Sequence, residues 1–138
     1  MLIMNREIIF RGKNIYDDEW MYGSLIKLEN DRYAVTPSLN NIEIGKSISM
    51  YEAYFETVGQ FSGITTSGDG DPERIYEHDI VGFVDIDQHV VAEVIFENGS
   101  FCFRDKEGQV YYPCDVQCVS VLGNKFDNPR LIKELKRE

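Results

Sequence analysis

No apolar run in this chain approaches the roughly 20 residues that a membrane-spanning helix requires. Even the opening stretch, MLIMNREIIF, is interrupted by Asn5, Arg6 and Glu7 and does not read as a secretory leader. Basic residues are also scarce. Fourteen Lys and Arg stand against twenty-four Asp and Glu, and the resulting net charge of −10 opposes attraction to phosphate backbones. Direct nucleic-acid binding and membrane insertion are therefore not expected. The cysteines are three, Cys102, Cys114 and Cys118, an odd number that supplies no disulfide framework and suits a reducing cytoplasm. Their separations of eleven and three residues, with His78 and His89 far upstream, lack the close Cys/His pairs of a zinc site. Ordinary thiols are the better reading. The chain has no Gly-Lys-Ser/Thr phosphate loop, no G-x-G-x-x-G, no H-E-x-x-H and no G-x-S-x-G. Nothing marks a cysteine as an activated nucleophile, so no catalytic residue, metal or cofactor is assigned.

What remains is enough for a folded protein. Of 138 residues, 43% are hydrophobic, which supports one domain with a real core. The acidity is spread: residues 1–70 carry 6 basic and 10 acidic groups, and residues 71–138 carry 8 and 14. A solvated surface explains that distribution better than a DNA-mimicking face, which would gather its carboxylates on one side.

Short runs rich in β-branched and aromatic residues, separated by turn residues, predict a mainly β protein. EIIFRG stops at Gly12. EWMYGSLIKLEND follows, with Trp20, Tyr22 and Ser24 on one face and a break of alternation near Gly23 that predicts a bulge or bend. RYAVTP ends at Pro37, SLNNIEIGKS reads as a polar loop, and MYEAYFETVG reads as a strand, although one helical turn also suits it. From Gly59 to Arg74 glycine and small polar residues dominate, which predicts a connection between an N-terminal β lobe, 1–58, and a second lobe, 75–138. That second lobe contains DIVGFVDI, HVVAEVIFENGSFCFRD and VQCVSVLGN. Asn98-Gly99 inside it is the strongest two-residue hairpin signal, because both centres of a type I′ turn need φ > 0. KEGQV predicts the next turn, and a small SH3-like barrel is expected here. In DNPRLIKELKRE, Asn128 suits an N-cap, Pro129 the first helical position, and Leu131, Ile132 and Leu135 one face of a short closing helix. No internal repeat is visible.

DPERIYEHDIV, residues 71–81, concentrates Asp71, Glu73, Glu77 and Asp79 around His78. It invites a metal or acid/base reading but lacks the order of ligands of a calcium loop. A tight acidic turn is the better expectation: Ile75, Tyr76, Ile80 and Val81 bury, while Glu77 and Asp79 accept backbone N–H groups or face solvent. The many aromatic residues lack the interleaved Lys and Arg of a base-stacking surface and are expected to pack.

Read together, REIIFRGK, EWMYGSLI, ETVGQFSGI, RIYEHDIV, VIFENGSFCF and VLGNKFDNPRLI resemble, in order and over nearly the whole chain, the YopX family of phage and prophage proteins. The family pattern runs approximately R-x-x-[FY]-R-G-K, G-x-W-x-Y-G, T-[VI]-G-Q-[FY]-T-G, K-I-Y-E-G-D-I-V and I-G-N-x-[YF]-E-N-P-E-L-L. The resemblance implies a mainly β fold and phage or prophage origin, and it brings no established activity. Two departures stand out. His78 occupies the glycine of E-G-D, so a positive φ there would cost about 1 to 2 kcal/mol, and His78→Gly is expected to stabilise the protein. TTSGDGDPER is longer than its family counterpart, as a tolerant surface connection allows.

The expected function is a non-enzymatic accessory protein of the bacterial host cytoplasm, a small β module that binds another protein or itself. The alternative is an acidic module acting on host nucleic-acid machinery. The family-like motifs direct attention to Trp20, Tyr22, Gln60, Tyr76, Glu77 and Asp79 as a binding surface.

Overall fold

Alternating runs and tight turns give eleven strands and three short 3-10 turns in a computed structural model that describes residues 7–37, 49–67 and 70–131. The chain divides into two units, Met1–Phe61 and Ser62–Glu138. The polar loop expected over 38–47 lies outside the described residues, as do Asp69, Ile132 and Leu135.

In the first unit, β1 (Phe10–Lys13), β2 (Trp20–Lys27), β3 (Tyr33–Pro37), β4 (Tyr51–Ala53) and β5 (Gly59–Thr65) are hydrogen-bonded in the order β4-β3-β2-β1-β5. Pro37 has no N–H to donate and closes β3. Of the bulge or bend expected at Gly23, the bulge is absent. Pairing runs without a shift from Phe10↔Gly23 to Lys13↔Trp20 and from Gly23↔Pro37 to Lys27↔Tyr33. Glycine is needed there for another reason, because a Cβ would run into the backbone carbonyl of Thr36. MYEAYFETVG is only partly strand: after β4 the chain tightens into a 3-10 turn, Phe55–Thr57. Thr57 Oγ1 fixes that turn, donating to the Tyr54 carbonyl at 2.7 Å and accepting the Lys13 N–H at 2.9 Å. Beyond β1, Asn14 bridges Ala53, the Ile15 N–H reaches the Glu52 carbonyl, and the Tyr54 N–H reaches the Lys13 carbonyl. The sheet thus curls until the continuation of β1 covers the outer edge of β4. Among the described residues its buried side chains are mostly small, Ala34, Val35, Thr36, Ala53 and Thr57, together with Phe61 and Arg11.

The connection expected over 59–74 is shorter than its composition suggests. Gly59–Thr65 is strand β5, whose first residues pair with β1 (Phe10↔Gln60, Arg11↔Gly59) and whose later residues lie in the second unit. There the Ser62 hydroxyl donates to the Ile75 carbonyl at 2.7 Å, holding β6 (Arg74–Tyr76).

The second unit continues with β7 (Asp79–Asp85), β8 (Gln88–Glu97), β9 (Ser100–Arg104), β10 (Val110–Tyr111), a 3-10 turn at Pro113–Asp115 and β11 (Gln117–Asn124), in the order β10-β9-β8-β7-β11. The mainly β expectation holds, but the small barrel foreseen here is an open sheet: among the described residues no pairing joins β10 to β11. Asn98 and Gly99 have φ of 53° and 84° and turn β8 into β9 as their sequence predicts. Asp105 Oδ1 accepts the Glu107 and Gln109 N–H groups and makes the next turn. The core is aromatic and aliphatic, with Ile75, Val81, Phe83, Val94 and Phe103 at most 2% exposed. A helix starts at Pro129 as expected, but Asn128 does not cap it in the usual sense. Its Oδ1 turns back to accept the Asn124 N–H at 3.1 Å.

Setting β6 aside, which lies beyond β5 in the first sheet, the two orders are the same: β1 lies between β2 and β5 as β7 lies between β8 and β11, the next two strands follow outward, and a 3-10 turn joins β4 to β5 as another joins β10 to β11. A repeat that the residues barely show is thus present in the topology.

Candidate binding faces

Turn chemistry builds the tight corner of RIYEHD, which leads from β6 of one sheet to β7 of the other. Asp79 is 2% exposed, and its Oδ2 accepts the Tyr76 N–H at 2.8 Å. Ile75, Tyr76, Ile80 and Val81 are buried. His78 has φ of 79°, the left-handed backbone that the family's glycine implies. The strain is held from both sides. The His78 N–H donates to the Val94 carbonyl at 2.9 Å, and its carbonyl accepts the Lys125 N–H at 3.2 Å. The imidazole meets the Phe126 ring edge-on at 5.4 Å and stands 4.0 Å from both Glu77 Oε2 and Glu93 Oε2. Such separations are electrostatic neighbours and too long for hydrogen bonds. Among the described residues no three His, Cys, Asp or Glu side chains gather closely enough to hold a metal ion.

The candidate residues fall in both units. Trp20, Tyr22 and Gln60 belong to the first; Tyr76, Glu77 and Asp79 belong to the second, where Tyr76 and Asp79 are buried and Glu77 is partly exposed. Period-two geometry puts Trp20 and Tyr22 on one face of β2. There the Arg11 guanidinium lies 4.5 Å and the Lys13 ammonium 5.4 Å from the Trp20 ring centre, an arrangement that uses the negative face of the indole.

A second face of the first unit escaped the sequence reading. In NIYDDE, Asn14 Oδ1 accepts the Tyr16 N–H at 2.9 Å and Asp17 Oδ1 accepts the Glu19 N–H at 3.0 Å. These consecutive side-chain turns project Tyr16 outward, 83% exposed, in front of the exposed Asp17, Asp18 and Glu19. Hydrogen bonds tie this loop to the corner of β4: Tyr54 Oη donates to the Ile15 carbonyl at 3.2 Å. The same corner exposes Tyr51, Tyr54 and Phe55, the last 60% exposed and stacked on Tyr33 at 6.1 Å. Arg32 grips Glu52 with two hydrogen bonds, of 3.0 and 2.8 Å. That bond holds the Glu52 carboxyl below, and the guanidinium above, their ordinary values. The exposed rings and carboxylates of these two segments were hidden because the segments meet only in three dimensions.

The second unit has surfaces of its own. A groove of about 420 Å³ is lined by His89, Val90, Asp105, Lys106 and Tyr111, among others. Burial, then Asp105, raises the Tyr111 hydroxyl above its usual range. Of the thiols, Cys114 and Cys118 are exposed, while Cys102 is buried and raised, chiefly by desolvation.

The family model described as YopX protein matches residues 9–133. No curated protein and no solved structure matches the chain. Among the described residues no helix is long and apolar enough to cross a membrane.

Proposed function

The chain belongs to the YopX family, and from that premise we propose that it is a phage- or prophage-derived accessory protein that works in the bacterial cytoplasm by binding another protein, without catalysis of its own. The observation that carries this reading is the set of rings displayed by the first unit: Tyr16, Phe55, Tyr51 and Tyr54 are 83%, 60%, 43% and 41% exposed. Leaving a large apolar side chain in water forgoes about 1.5 to 3 kcal/mol of burial, and aromatic side chains concentrate where partners dock. The backbone beneath them is fixed by the hydrogen bonds from Ile15, Tyr54 and Thr57, so little order has to be gained on binding.

The test is partner capture by the full chain and by its Tyr16→Ala/Phe55→Ala variant, with folding checked by circular dichroism. The reading expects the variant to lose the partner and the wild type to keep it in high salt. Equal capture by both would contradict it. Capture that disappears on adding salt would favour the acidic-module alternative, because screening weakens exposed charges first.

A further inference from the structure

Resting on the protein-binding reading above, we infer that the face formed by residues 14–19 and 54–56 takes an extended, proline-rich segment carrying Arg or Lys. Three features of the first unit lead to this partner.

The first is the state of the sheet edge. An extended peptide commonly binds by adding a strand to an open edge, but here the outer side of β4 is already engaged. The Ile15 N–H donates to the Glu52 carbonyl at 3.1 Å, the Tyr54 N–H donates to the Lys13 carbonyl at 2.9 Å, and Asn14 bridges Ala53. The ladder has no room for another strand there, so a ligand must be recognised through side-chain surfaces. A polyproline II segment suits that constraint. It makes no internal hydrogen bonds, repeats every three residues, and arrives already ordered.

The second is the chemistry of the surface. Proline rings pack on aromatic faces, and Tyr16 and Phe55 are the two most exposed rings of the face. The Tyr54 hydroxyl is committed to the Ile15 carbonyl, which leaves that ring a fixed wall.

The third is charge. Asp17, Asp18, Glu19 and Glu56 are exposed along the two segments. Among the described residues Arg32 is held by Glu52, Arg11 and Lys13 lie over Trp20, and Lys27, opposite Tyr33, is outnumbered by these four carboxylates. A cationic ligand is therefore steered toward the rings. A second copy of the chain does not fit this description, since its prolines, at 37, 72, 113 and 129, nowhere stand three residues apart.

The probe is a fluorescein-labelled peptide with two prolines three residues apart and flanking arginines, titrated with the full chain by fluorescence anisotropy. Saturable binding with a Kd of about 10 to 100 µM is expected. Tyr16→Ala and Phe55→Ala should each weaken it about tenfold, and Asp17→Asn should weaken it more at low salt than at high salt. Tyr111→Phe, in the second unit, should leave it unchanged, and circular dichroism confirms that each variant is folded. Failure to saturate by about 1 mM, or equal binding of peptides with Glu for Arg or Ala for Pro, would overturn the inference. If a captured protein partner still depends on Tyr16 and Phe55 while these peptides fail, the partner class is wrong and the protein-binding reading stands. If both are insensitive to the two rings, both fall.

Discussion

The two units share one strand order but place their aromatic residues differently. In the second, Phe83 and Phe103 are 2% and 0% exposed and pack at 5.3 Å inside an aliphatic core. In the first, small side chains fill the interior, and Tyr16, Tyr51, Tyr54 and Phe55 face outward. The second unit also exposes Phe96, against Phe101, and Tyr112, so the contrast lies in what fills the interior. Order of pairing and content of the core are separable: hydrogen-bond register supplies the first, and apolar volume supplies the second. Among the described residues the first unit keeps the order with smaller buried side chains and leaves these rings at the surface.

The chain carries one reporter for each side of this comparison. Its single tryptophan, Trp20, is in the first unit, and its one buried thiol, Cys102, is in the second. Phe103→Ala should have the largest effect, a loss of about 3 to 5 kcal/mol, read as Cys102 labelling at lower denaturant. Val35→Ala, at an equally buried site of the first unit, should cost less. Equal losses would break the contrast. Gly23→Ala forces β2 away from the Thr36 carbonyl and should cost about 1 to 3 kcal/mol, seen first in Trp20 fluorescence. An unchanged Trp20 transition would show that the close approach is easily relieved.

Next come the turns of the second unit. Ile86 and Asp87 have φ of 45° and 66°, the backbone of Asn98-Gly99, yet Ile86 is β-branched and 88% exposed. Replacing the pair by Asn-Gly should stabilise by about 1 to 2 kcal/mol. His78→Gly relieves a similar strain but removes the edge contact to Phe126, so its gain should be smaller, about 1 kcal/mol or less. A lowered melting temperature in either case would show that the native side chains contribute more than their backbone costs. The smallest effect is a pH dependence. Arg32 depresses the Glu52 carboxyl, so the contribution of this pair is present above the unfolded value of about 4.5 and is lost as pH falls through the lower folded value. Acid titration of Trp20 fluorescence in Glu52→Gln should lack this component. Since the pair is exposed, salt should diminish it.

How much of this was readable beforehand depended on how local the cause was. Asn98-Gly99 and the burial of Ile75, Tyr76, Ile80 and Val81 follow from neighbours in the chain, and the structure agrees. Gly23 misled because a disturbed alternation looks the same whether it marks a bulge or an approaching carbonyl 13 residues later. The 3-10 turn after β4 was foreseen only as an alternative to strand, since what tightens it is the distant Lys13 N–H on Thr57. The repeated topology left one local trace. Tyr54-Phe55-Glu56-Thr57-Val58 and Tyr112-Pro113-Cys114-Asp115-Val116 share a Tyr and a Val around their turns. In both, the Tyr carbonyl accepts an N–H three residues on. The ring-lined face could not be seen in either of its segments alone, because hydrogen bonds between them assemble it.

The most direct measurement is a backbone amide NMR titration of the full chain with the proline- and arginine-containing peptide. The account predicts shifts at residues 14–19 and 54–56 with the second-unit core around Phe83 and Phe103 unmoved. Shifts centred instead on the groove between His89 and Tyr111, or no shifts at all, would contradict it.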